Sequence, residues 1–182
     1  MKIKDIDKLF LKTAFSCTAC DGDVDVSEIK LIKKLHQDKK LFGEINLEVE
    51  LNNLVEDINK NGFKFLRSYL LEITQTEINN EDQLRILDTA IKTIEADKEI
   101  KHSEIKFFKL LRSKLSIDNK YILDTFPQYE EYLEQDVFSK SYLDKIEGDY
   151  FESSNLESLK IENIVIKNFL ESEEKLNDLD SK

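Results

Sequence analysis

The chain has 182 residues and a formal net charge of −11, with 40% hydrophobic and 36% charged residues, one Pro, four Gly and no Trp. Leu, Ile, Lys and Glu in abundance with few breakers point to a mostly helical domain with a heavily charged surface. No run of about 18 apolar residues occurs, so an integral membrane span is not expected, and two cysteines are too few for a disulfide framework. The opening MKIKDIDKLF lacks a signal-peptide core, and a reducing cytoplasm is the expected location.

The helical signals follow in order. Ile3, Ile6, Phe10, Thr13, Ala14, Cys17 and Cys20 recur at three and four, which predicts a first helix to about Cys20. An acidic stretch, Ala19-Cys20-Asp21-Gly22-Asp23-Val24-Asp25-Val26-Ser27-Glu28, separates it from a second helix marked by Ile29, Ile32, Leu35 and His36. Asp25 and Glu28 have the spacing of a capping box at that second start, and Gly43 suggests its stop. Asn46 precedes a third helix carrying Val49, Leu51, Leu54, Val55 and Ile58, ended by Asn61-Gly62. A fourth runs from Phe63 to about Ile78. A fifth begins near Asn80, a sixth spans roughly Ser103 to Leu115, and a short seventh, Asn119 to Phe126, is stopped by Pro127.

Charge divides the chain unevenly. Residues 1–126 hold 23 acidic and 21 basic side chains, whereas residues 127–182 hold 15 and six. Direct nucleic-acid binding needs Lys and Arg to displace phosphate counterions, so no nucleic-acid partner is expected. The expected division is a helical domain over 1–126 and an acidic, partly helical extension over 127–182 whose last dozen residues, ESEEKLNDLDSK, read as solvated and frayed.

The first helix-loop-helix repeats. At an offset of 76 residues Ala14 falls on Ala90, Asp21 on Asp97, Asp23 on Glu99, Val24 on Ile100, Ser27 on Ser103, Glu28 on Glu104, Ile29 on Ile105 and Leu35 on Leu111. This predicts an all-α bundle of about seven helices with a pseudo-twofold helix-loop-helix repeat.

The two phrases, AxxxxAC-DGDVDVSEI and, 76 residues on, AIKTIEAD-KEIKHSEI, resemble the paired pattern of the tellurite-resistance TerB family over about residues 3–126. The segment Leu111 to Asp118 is similar to the family's closing phrase, with Ser116 in place of its usual Gly. The resemblance implies a TerB-like domain whose clustered acids bind a divalent metal. It also implies protein partners in a stress, tellurite or phage-defence setting, and no defining catalytic activity.

The residues make their own case for a cation. Asp21, Asp23 and Asp25 alternate in a short loop and Glu28 can reach back from the next helix. Carboxylates alone suit Ca²⁺ or Mg²⁺ and not zinc, and their crowding is unfavourable without a counter-charge. An EF-hand is excluded, because its Gly position holds Val26 and its terminal Glu position holds Ile32. In the second loop Asp97, Glu99 and Glu104 remain, but Lys98 and Lys101 replace Gly22 and Asp25 and can neutralise them.

The alternative is an acidic turn and helix cap without metal, in a scaffold that docks on basic partner proteins. A metal-dependent hydrolase lacks an evident acid-base residue. Cys17 and Cys20 lack a second ligand pair and read as small buried apolar residues. His36 and His102 lack a nucleophile, no phosphate-cradling glycine loop is present, and Phe63, Phe65, Tyr69, Phe107 and Phe108 fall at core spacing.

Overall fold

Helix α1 (Ile3–Thr18) is buried on nearly every side from Leu9 onward, and this sets the architecture. From Leu9 to Cys20 only Lys12 escapes full burial. A helix segment buried all round belongs at the centre of a bundle, and from Leu9 on α1 is such a segment. The structure is a computed structural model and describes residues 3–22, 26–37, 42–95, 100 and 102–133. Within them every regular element is helical, as the sequence predicts.

A 3-10 turn (Ala19–Asp21) follows α1. Then come α2 (Val26–Gln37), α3 (Leu47–Asn61), α4 (Phe63–Gln75), α5 (Asn80–Ile94), α6 (His102–Ser113) and α7 (Asn119–Thr125), with a short α8 (Glu130–Leu133) after a second 3-10 turn. Helix α1 packs most extensively on α5 and also meets α2, α3, α4 and α6. The central pair is thus the pair that the repeat equates, and Ala14 and Ala90 are both fully buried in it. Their polar residues bond inward. Thr13, Thr89 and Thr93 each donate to the carbonyl four residues back, which satisfies hydroxyls that burial would otherwise penalise.

The outer helices contribute one face each. Phe65, Leu66, Tyr69, Leu70 and Ile73 form the buried stripe of α4, and Phe107, Phe108, Leu110 and Leu111 that of α6. Phe15 meets Phe65 edge-on at 5.8 Å and Tyr69 stacks on Phe107 at 6.3 Å, so one aromatic layer ties α1, α4 and α6 together. Each large side chain buried this way contributes about 1.5–3 kcal/mol. Tyr69 Oη also donates to Thr13 Oγ1 at 2.8 Å inside that layer. Phe63 is only partly buried against it.

Helix ends follow local chemistry. Asn46 and Asn79 accept from Val49 and Asp82 and cap α3 and α5, and Gly62 ends α3 with φ 54°. Two predicted ends are too long. Helix α4 stops at Gln75, because Thr76 turns extended and the segment to Asn79 is claimed by the α5 cap and by Gln83, which donates to Ile78 O. Helix α6 stops at Ser113, because the next turn is held from both sides. Arg112 donates to Leu115 O, Ile117 O and Asn119 Oδ1, while Gln83 Oε1 accepts from the N–H groups of Ser116 and Ile117.

Helix α2 is described to Gln37, and residues 38–41 lie outside the described set. Gly43, expected as its stop, has φ 59° and lies against the buried Asp7 carboxylate so closely that a Cβ would collide with it. After α7, Tyr129 and Leu133 are buried, Tyr129 Oη donates to Asp88 and Tyr132 Oη to Glu95. Residues 134–182, and with them the expected partly helical extension and frayed tail, lie outside the described residues.

Candidate metal centre

The first acidic loop begins as a closed turn. Gly22, at φ 93°, donates its N–H to Ala19 O at 3.2 Å, and Asp21 is half-buried there. The left-handed φ is the reason Gly follows Asp at this point. Asp23 and Asp25 lie outside the described residues. Helix α2 then starts at Val26, and Glu28, its third residue, is only 3% exposed.

Glu95 follows α5 as its C-cap, Asp97, Lys98, Glu99 and Lys101 lie outside the described residues, and α6 starts at His102. Glu104, again the third residue of its helix, is 2% exposed. The repeat-equivalent glutamates therefore share both helix position and burial. A capping role on a solvated surface does not predict that burial, because Glu is almost never fully buried unless paired.

The two glutamates also act on one place. Cys17 and Cys20 are fully buried, and burial pushes both thiols up. The negative charges of Glu104 and Glu28 push Cys17 further, and Cys20 feels Cys17, Asp21, Glu104 and Glu28. The 3-10 turn that carries Cys20 and Asp21 lies against α6. The first turns of α2 and α6 thus each place a carboxylate whose charge reaches the C-terminal end of α1. Thiols raised this way stay protonated, which suits neither zinc ligation nor nucleophilic chemistry and agrees with their reading as small core residues.

The oxygen donors fit a hard cation in type. In number the described residues are short, since no group of three or more His, Cys, Asp or Glu side chains among them is placed to hold an ion. Of the expected ligands Asp21, Glu28 and Glu104 are among the described residues, and their charges act on the Cys20 thiol; Asp23, Asp25, Asp97 and Glu99 fall in the segments the structure does not describe. His36 stacks on Phe42 with ring centroids 6.3 Å apart and His102 is exposed. No helix among the described residues is long and apolar enough to cross a membrane.

Two further residues were missed by sequence reasoning. Gln83 and Arg112 fix the turn inside the segment Leu111 to Asp118, and burial lowers the affinity of the Arg112 guanidinium for its proton. A polar residue on the apolar stripe of α5 was the available signal for Gln83. Compared with protein families, with curated proteins and with solved structures, the chain matches none.

Proposed function

We propose that the chain is a TerB-like, non-catalytic module that binds Ca²⁺ or Mg²⁺ through its acidic loops and acts through protein partners in a stress, tellurite or phage-defence setting. One observation carries the reading. Glu28 and Glu104, equivalent in the repeat, are 3% and 2% exposed, and both charges fall on the same buried thiol at the end of α1. A positive charge there stabilises two carboxylates near one buried place. Asp21 beside them, and Asp23, Asp25, Asp97 and Glu99 in the same loops, supply the oxygen ligands that such an ion needs. When bound, the ion supplies charge neutralisation and a cross-link between the two loops.

A calorimetric titration of the full chain with Ca²⁺ and with Mg²⁺ tests this. Binding heat that disappears in Glu28→Gln and Asp21→Ala supports the proposal. Absence of heat at millimolar ion contradicts it.

A second reading has its own observation. Both glutamates stand at the third position of a helix, where a carboxylate answers the exposed N–H groups and the helix dipole. On that reading the module is a metal-free scaffold, and its partner binding persists in chelator.

A further inference from the structure

After α7 the chain turns back onto α5 and α6. Pro127 starts the second 3-10 turn, and Tyr129 and Leu133 are then buried against the domain. Tyr129 Oη donates to Asp88 Oδ1 at 2.7 Å, and Lys92 Nζ holds the other oxygen of that carboxylate at 2.8 Å. Two turns further along α5, Tyr132 Oη donates to Glu95 Oε1, again at 2.7 Å. The Tyr132 ring also meets Phe108 of α6 edge-on, with centroids 5.6 Å apart, and Phe108 is fully buried. Phe126, Tyr129 and Tyr132 carry the ring contacts along the returning segment. Glu95 is the C-cap of α5 and the last described residue before the second acidic loop, and Phe108 lies in the helix after that loop. One tyrosine therefore joins the two helices between which the loop runs.

The repeat makes this contact one-sided. At the offset of 76 residues Glu95 falls on Ala19 and Phe108 on Ile32, both fully buried. Ala19 has no side-chain acceptor, so no equivalent bond forms at that position beside the first loop.

We propose that residues 126–133 form a clasp across the α5–α6 junction, closed by the bond from Tyr132 to Glu95, which couples the chain beyond Leu133 to the start of the second acidic loop. The closing bond is exposed, whereas Tyr129, Phe108 and Leu133 are buried, so the clasp opens at its tip before it leaves the core. A partner that draws the chain beyond Leu133 away breaks the bond and frees Glu95. Whatever engages Glu95 weakens the hold on α8 by the same factor, because coupling between two sites is reciprocal. The inference rests on the function proposed above only for what the second loop holds; the clasp itself works without an ion.

The test is native-state amide exchange of the full chain in chelator, so a failure of ion binding does not enter its result. The two probes are the Glu95 amide, which donates to Ile91 O, and the Leu133 amide in α8. A hydrogen bond to a charged acceptor contributes about ten-fold to the ratio of closed to open forms. Tyr132→Phe removes the hydroxyl alone and is expected to speed exchange at both amides by about that factor. Glu95→Ala is expected to do the same, and the double variant no more than either single one. Glu95→Gln keeps an oxygen that accepts from Tyr132 and is expected to hold both amides near their native rates. Tyr69→Phe removes a buried bond elsewhere in the core and is expected to leave both amides unchanged.

Unchanged exchange at Glu95 in Tyr132→Phe, or at Leu133 in Glu95→Ala, overturns the inference. Additive effects in the double variant overturn it too, because the two side chains then act separately. So does an equal acceleration in Tyr69→Phe, which makes the response a general loss of stability.

Discussion

Replacing Gln83 by Met keeps most of the side-chain volume and removes both polar ends, and its cost follows from the bonds. Gln83 is 4% exposed. Its Oε1 accepts from Ser116 N and Ile117 N, each at 2.9 Å, and its Nε2 donates to Ile78 O at 2.8 Å. Ser116 is exposed, so water replaces that partner. Ile117 is buried, so its N–H stays unsatisfied. One stranded buried donor costs about 1–3 kcal/mol, and the lost bonds at Ile78 and Ser116 add about 1 kcal/mol. The expected destabilisation is about 2–4 kcal/mol, which at this chain length lowers the melting temperature by about 5–15 °C. Urea unfolding of the two proteins measures it, with the midpoint falling and the slope unchanged. Hydrogen exchange locates it, since the Ile117 amide loses protection before the centre of α5 does. A loss below about 0.5 kcal/mol, or an Ile117 amide protected as before, refutes the reasoning.

Three other perturbations have definite expected outcomes. Tyr69→Phe leaves Thr13 Oγ1 without its buried donor and costs about 1–2 kcal/mol in urea unfolding, whereas an unchanged midpoint means that the 2.8 Å bond contributes nothing. Gly43→Ala meets both φ 59° and the Asp7 carboxylate, and the strain alone amounts to about 1–2 kcal/mol, read as a drop in melting temperature. Asp7 gives a pH signature. Burial holds its carboxyl above the ordinary 3.8, Arg85 opposes this and Asp82 adds to it. The folded state therefore holds the proton more tightly than the unfolded one, and the aspartate loses stability as pH rises from the ordinary value through the raised one. Asp7→Asn is accordingly expected to gain stability relative to the native chain between pH 4 and pH 7, and a relative loss over that interval contradicts the assignment.

Helical periodicity made most of the fold legible, because one side of each outer helix faces the core and the sequence records that side. Asn46, the Asn61-Gly62 pair and Pro127 marked boundaries through purely local chemistry. The ends of α4 and α6 were misjudged for one reason. Gln83 stands 33 residues from Ser116, and a window along the chain does not reveal that its amide claims that turn. Glu28 was legible as a helix-start residue but not as a buried one, since burial depends on tertiary packing that a local stretch of sequence does not record. Ala14 and Ala90, aligned by the sequence repeat, are both fully buried, and α1 packs most extensively on α5.

The central claim is that an ion answers the carboxylates gathered at the end of α1, and ion-linked stability tests it most directly. An ion at one hundred times its dissociation constant stabilises the folded chain by about 2.7 kcal/mol. Urea unfolding in saturating Ca²⁺, and separately in saturating Mg²⁺, against chelator is therefore predicted to show a gain of this order with at least one ion. The gain is expected to vanish in the Glu28→Gln, Glu104→Gln double variant. Equal stability of the native chain with and without either ion contradicts the account.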